Sequence, residues 1–123
     1  MDGPIDSIMD KNPKDAIMNT PLHWAARNGR LAVCQLIIDN VENKNPGNLH
    51  KKTPLHLAAM NGHVDVCKLI MNEIEDKNPP NEYGETPLHQ AVSNGQFEVC
   101  QLIINKISDI NPVDLDNDTP LDR

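Results

Sequence analysis

A chain of 123 residues with a single Trp, a single Tyr and a single Phe is long enough for one domain. It lacks the large aromatic side chains that usually anchor a compact core, so small and aliphatic residues must do the packing. A formal net charge of −7 without a dense basic run argues against nucleic acid or an anionic membrane as the main partner, and no stretch approaches the ~20 apolar residues that span a bilayer.

The opening "MDGPIDSIMD" is acidic and interrupted by Gly3 and Pro4, so no signal peptide is expected. The three cysteines are then expected as reduced thiols in a cytoplasmic or nuclear setting, and the glycosylation triplet at 117 to 119 as idle. Residues 1 to 19 hold only the tail of a helix. The first complete unit begins with "TPLHWAARNG" at 20 to 29. Thr20 can cap a helix with its hydroxyl, and Pro21 at the first helical position sacrifices no hydrogen bond. Leu22, Ala25 and Ala26 fall at i, i+3 and i+4, an inward face whose alanines permit close helix approach. Asn28-Gly29 ends the helix, Gly29 supplying the left-handed residue.

A second helix is predicted from about Leu31 to Val41, with Val33, Leu36, Ile37 and Val41 on its buried stripe. Asn45-Pro46 stops it, because the residue before proline avoids the helical region. The opening phrase returns as "TPLHLAAMNG" at 53 to 62, as "TPLHQAVSNG" at 86 to 95 and in part as "TPLD" at 119 to 122. Thr20, Thr53, Thr86 and Thr119 are 33 residues apart, as are Cys34, Cys67 and Cys100, and the Asn-Pro pairs beginning at 12, 45, 78 and 111.

A 33-residue period opening on Thr-Pro-Leu-His resembles the ankyrin repeat family over essentially the whole chain. The resemblance implies an all-α, helix-turn-helix repeat solenoid with β-hairpin finger loops. It forms a single domain over 1-123, divided into a partial N-terminal repeat (1-19), repeats at 20-52, 53-85 and 86-118, and a truncated repeat start (119-123). Gly84 and Asn117 suit the tight turn of a finger, whereas Met18 and Lys51 occupy the same phase without that ease. Val41, Ile74 and Ile107 stand where the family usually has glycine, so the second helix is expected to run about a turn longer or the loop to differ. The resemblance also places Asn45, Asn78 and Asn111 in the phase of loop asparagines that an asparaginyl hydroxylase can modify; the preceding lysine or isoleucine departs from the usual valine.

His23, His56 and His89 recur together with the three cysteines, which raises a metal or Cys–His nucleophile reading. Equivalent residues in stacked repeats sit roughly 8–10 Å apart, whereas zinc donors lie about 2.0–2.3 Å from one ion and bridged cysteines need Cα atoms within about 7 Å. A ladder therefore suits neither. The cysteines read as small buried hydrophobes, and the resemblance implies that each Thr-His pair ties a helix start to the adjacent repeat by hydrogen bonds, a bridge imidazole can make with one nitrogen donating and the other accepting. His50 and His63 read as single, solvent-facing residues without chemistry. No catalytic residue, metal ligand or cofactor is expected, and no enzyme.

Positions that build the stack recur, and those that differ are free to carry function. They cluster on the outward stripe of the first helices (Trp24, Arg27, Leu57, Met60, Gln90, Ser93) and at the finger tips (Ile17, Asn19, Leu49, His50, Lys52, Glu82, Tyr83, Glu85). The resemblance places both sets on one concave side, the usual binding surface of such solenoids. The tips grade from apolar (Ile17, Met18) through basic (His50, Lys51, Lys52) to acidic (Glu82, Glu85, Asp116, Asp118), and Trp24, Met60 and Tyr83 are the expected anchors. The leading reading is a protein-protein interaction module that binds a protein or peptide partner. A structural spacer in a larger scaffold, channel or adaptor is the alternative, and a metal-dependent or Cys–His enzyme stands behind both. Neither end reads as a finished cap, so partly bare surfaces at Leu22 and Val33 and weak self-association through uncapped ends are expected.

Overall fold

The computed structural model describes residues 14–107, and within them the chain forms six helices in three pairs. They are α1 (Pro21–Arg27) and α2 (Leu31–Ile38), α3 (Pro54–Met60) and α4 (Val64–Met71), α5 (Pro87–Ser93) and α6 (Phe97–Ile107). The first helices α1, α3 and α5 lie side by side in one layer, and α2, α4 and α6 form a second layer behind them. No described helix is long and apolar enough to cross a membrane.

Each first helix starts for the same local reason. The hydroxyls of Thr20, Thr53 and Thr86 accept from the backbone N–H three residues on, and the histidine at that position reaches back to the threonine N–H. This is a capping box in which imidazole replaces the usual Glu or Gln, satisfying two orphan donors at once. A third is satisfied from the preceding loop, where Asn45 Oδ1 accepts from Leu55 N–H and Asn78 Oδ1 from Leu88 N–H, both at 3.0 Å. Each first helix ends in a Schellman motif: Gly29 N–H donates to the Ala26 carbonyl and Arg30 N–H to the Ala25 carbonyl, a pattern repeated at Gly62-His63 and Gly95-Gln96.

The core is aliphatic. Ala26, Ala58, Ala59 and Ala91 are completely buried with Leu22, Leu55 and Leu88, and the second layer adds Cys34, Ile38, Val66, Cys67, Ile70, Met71, Val99 and Ile103. Alanine at the helix crossings lets neighbouring first helices approach closely, so the core closes without aromatic volume.

Three expectations about the helices differ from the structure. The α2 helix ends at Ile38 and α4 at Met71, so Val41 and Ile74 lie beyond the helices. Lysine does the work expected of glycine there: Lys44 Nζ donates to the Ile38 and Val41 carbonyls, and Lys77 Nζ to those of Met71 and Ile74, each at 2.7 Å. A cation on the last carbonyls also complements the negative end of the helix. Only α6 is longer, running through Ile107, the last described residue. Second, the buried residues of α2 are Cys34 and Ile38; Leu36 is exposed, Val33 is 47% exposed, and Ile37 and Val41 are half-buried. The counterparts Val66 and Val99 are buried because α4 packs against α2 and α6 against α4, while no described helix of the second layer precedes α2. Third, Leu22 is buried, not bare, so end exposure falls on the second helix and not on the first.

No strand is present among the described residues, and the fingers are tight turns rather than β-hairpins. Each is closed by paired backbone bonds, Asn48 N–H to the Lys52 carbonyl and Lys51 N–H to the Asn48 carbonyl in the second, and Asn81 N–H to Glu85 and Gly84 N–H to Asn81 in the third. A single backbone bond joins each pair of neighbouring tips, Leu49 N–H to the Ile17 carbonyl and Glu82 N–H to the His50 carbonyl, too few to form a ladder. Met18, Lys51 and Gly84 all adopt positive φ, at 68°, 61° and 79°.

Candidate partner-binding face

The finger tips are braced by residues that the sequence reading passed over. Asp15 Oδ1 accepts from Ile17 and Asn19 N–H, Asn48 Oδ1 from His50 and Lys52 N–H, and Asn81 Oδ1 from Tyr83 and Glu85 N–H. A short Asx side chain that folds the backbone over itself is a recognised turn device. The signal was present in the sequence: these three positions are also 33 apart. A further link, Asn48 Nδ2 to Asn19 Oδ1 at 2.9 Å, ties the first tip to the second.

Behind the tips runs the histidine ladder. Thr20 N–H donates to His23 Nδ1 at 2.9 Å, so Nδ1 is the acceptor and the proton sits on Nε2, which donates to the Lys52 carbonyl at 2.8 Å. His56 repeats this with Thr53 N–H at 3.1 Å and the Glu85 carbonyl at 2.9 Å. Burial lowers both imidazole pKa values, outweighing the raising effect of the carbonyl acceptors, and a second proton would face Nδ1–H toward an N–H. Both are therefore neutral struts between repeats.

His63 and His50 also have partners, contrary to the reading of them as solitary. His63 Nε2 donates to the Arg27 carbonyl at 3.0 Å, and Gln96 Nε2 makes the matching bond to Met60 at 3.1 Å, so this position bridges repeats as well. His50 Nδ1 lies 2.6 Å from Glu82 Oε2, linking the second and third tips. That hydrogen bond is the main reason the Glu82 carboxyl is held below its ordinary value, and the adjacent Tyr83 hydroxyl is raised by the same carboxylate.

All three cysteines are free thiols. Burial pushes Cys34 up to about 11 and Cys67 up to about 12, opposite to the depression that activates a nucleophilic thiolate. Among the described residues no group of three or more His, Cys, Asp or Glu could hold a metal ion.

Six of the variable residues converge. Ile17, Asn19, Trp24, Arg27, Lys52 and Leu57 line one cleft of about 260 Å³ together with His23 and Asn48. It is walled by two fingers and floored by the outward faces of α1 and α3. Trp24 is 45% exposed yet fixed on both sides: its Nε1 donates to Asp15 Oδ2 at 3.3 Å, and the Arg27 guanidinium sits 5.4 Å from the ring centroid, within cation–π range.

The remaining candidates do not line this cleft. Leu49 and Tyr83 are exposed at the tips; Glu85 Oε1 accepts from Asn81 and Gln90 side chains; Met60 is half-buried and Ser93 exposed. Asp116 and Asp118 lie outside the described residues. A second, apolar cavity of about 640 Å³ opens at the α5–α6 end, lined by Val92, Phe97, Cys100 and Ile104 with Gly95, Gln101 and Asn105. Its residues stand in phase with Ala59, Val64, Cys67 and Met71, of which Ala59, Cys67 and Met71 are buried and Val64 half-buried, whereas Phe97 is 74% exposed.

Paired helices stacked in two layers, with tight-turn fingers at a fixed interval, define a helical repeat solenoid. The family model for ankyrin repeats (3 copies) matches residues 5–79 and 22–114, and the chain belongs to the ankyrin repeat family. No curated protein matches it. Ankyrin repeats are generally protein-protein interaction modules.

Proposed function

We propose that this chain binds a protein or peptide partner through the side that carries the finger tips and the outward faces of α1, α3 and α5, without catalysing a reaction. The observation that carries the reading is the convergence of Ile17, Trp24, Arg27, Lys52 and Leu57 on one cleft, with Trp24 held by Asp15 and Arg27 before any partner arrives. A pre-positioned aromatic loses little entropy on binding. Replacing Trp24, Met60 and Tyr83 together by alanine should leave the helices and melting temperature essentially intact while abolishing partner capture. Unchanged capture by the folded variant would instead support the spacer reading, in which partners bind elsewhere in a larger protein. The free thiols, Cys34 and Cys67 buried and Cys100 half-buried, fit a reducing cytoplasmic or nuclear setting.

Weak self-association is proposed on a separate observation, the apolar surface of Val92, Phe97, Cys100 and Ile104. It is positioned to accept the kind of helix pair that covers the same face of the preceding repeats.

A further inference from the structure

We infer that the Trp24 cleft receives an apolar side chain flanked by carboxylates, so that the partner is an acidic peptide segment rather than a small molecule or a basic one. This deepens the proposed function and rests on it. Three observations point the same way. The cleft's volume of about 260 Å³ is below the roughly 300–1,000 Å³ of pockets that enclose drug-sized ligands, and suits one or two side chains. Its floor carries the apolar Trp24 and Leu57 and its finger wall Ile17, whereas the lining also includes the cationic residues Arg27 and Lys52.

The third observation is charge. Although the chain as a whole carries −7, neither Arg27 nor Lys52 has a carboxylate within salt-bridge distance among the described residues, where the ion pair is His50 with Glu82. Asp15, at the cleft's edge, is already spent: its two oxygens accept from Ile17 N–H, Asn19 N–H, Asn19 Nδ2 and Trp24 Nε1. It positions the indole and leaves the Arg27 and Lys52 donors to the partner. The next valley along the stack reverses the pattern. There the in-phase residues are Leu57 for Trp24, Met60 for Arg27, Glu85 for Lys52 and Gln90 for Leu57, and the Glu85 carboxylate is held by Asn81 and Gln90. Of the two valleys among the described residues, the first combines an aromatic floor with cations that have no described carboxylate partner, and its bound segment would continue toward Lys51 and away from Glu85.

Trp24 is the single tryptophan, so its fluorescence reports this cleft directly. The probe is a short capped peptide with a central leucine flanked on both sides by glutamates in a glycine-serine background. Control peptides carry lysines in place of the glutamates, or alanine in place of the leucine. The full chain should show a saturable change in Trp24 emission with the glutamate peptide, weakened at least ten-fold by the lysine or the alanine control and by raised salt. The variant Arg27→Glu/Lys52→Glu, checked for its helical spectrum, should lose the glutamate peptide ten-fold or more and gain the lysine peptide. Calorimetric titration of Lys52→Glu alone, also checked for its helical spectrum, gives a second reading that leaves Arg27 over the indole.

Equal or stronger binding of the lysine peptide would overturn the acidic assignment while leaving the finger-side binding reading standing. Absence of saturable binding by any of the peptides up to millimolar concentration would overturn the cleft as the receptor of such a segment. The finger-side reading itself falls only if the Trp24/Met60/Tyr83 alanine variant captures partner as well as the parent does.

Discussion

Lys51 is held at φ 61°, a left-handed conformation that Gly84 occupies in the next finger at no steric cost. An L-residue pays roughly 1–2 kcal/mol there, partly offset in a glycine variant by the greater freedom of the unfolded chain. Lys51→Gly should therefore stabilise the fold by roughly 0.5–1 kcal/mol. A urea midpoint that fails to rise would show that the Asn48 turn already removes the strain. His56 makes the opposite case. Truncation to alanine leaves Thr53 N–H and the Glu85 carbonyl without partners in a buried site, at a cost of about 2–4 kcal/mol. Its pH signature has a definite sign. Burial holds the folded-state pKa of His23 and His56 below the ordinary 6.5, so the unfolded chain binds more protons as pH falls below that value. Stability is complete above about pH 6.5 and is lost as pH drops through the folded-state pKa. Urea unfolding followed from about pH 7.5 downward should show this decline before the carboxylates titrate, and His56→Gln should reduce it to the part that His23 contributes.

At the scale of the helix and its loops, the recurring phrase carries more of the structure than its helical pattern alone. Threonine, proline and histidine close the helix start, and the Asn-Pro pair seemed only to terminate the preceding helix. Its asparagine also reaches ten residues on to cap the next one, at Asn45–Leu55 and Asn78–Leu88. Asn78→Ala should cost about 1 kcal/mol, the usual worth of such a cap, whereas Asn78→Asp, which keeps the acceptor, should cost less; equal losses would point to packing rather than capping. Gly62 is the more severe test. It sits at φ 74°, and a Cβ there would lie 2.4 Å from the Gln96 side-chain oxygen. Gly62→Ala should destabilise by roughly 1–2 kcal/mol from the backbone alone, with the displaced Gln96–Met60 bond adding to it.

Across the whole molecule, contacts link each helix to its own pair and to the adjacent pairs, so stability is shared between nearest neighbours. The α3–α4 pair is packed on both sides and should show the slowest amide exchange, with α1–α2 and α5–α6 opening more readily. Uniform protection through all three pairs would contradict this. If the Val92–Phe97–Ile104 surface supports self-association, the apparent mass should rise with concentration in the parent and remain that of a monomer in Phe97→Glu.

The period of 33, the helix starts, the alanine-lined inner face and the identity of the residues free to vary were all legible in the sequence, because each depends on contacts within about a turn or on simple repetition. The ends of α2 and α4 were not, since Lys44 and Lys77 cap carbonyls from outside the helix. Nor was the exposure of Val33 and Leu36, since among the described residues the second layer has no helix on the side of α2 away from α4. His63 and His50 looked solitary because their partners lie 36 and 32 residues away. So did the variable surface residues: the sequence identified Trp24, Arg27, Lys52 and Leu57 as non-repeating, but only the stacking of two fingers on α1 and α3 brought them around one cleft. Local hydrogen bonding and periodic burial are written along the chain, whereas a site is a property of distances between repeats, and those appear only once the repeats are stacked.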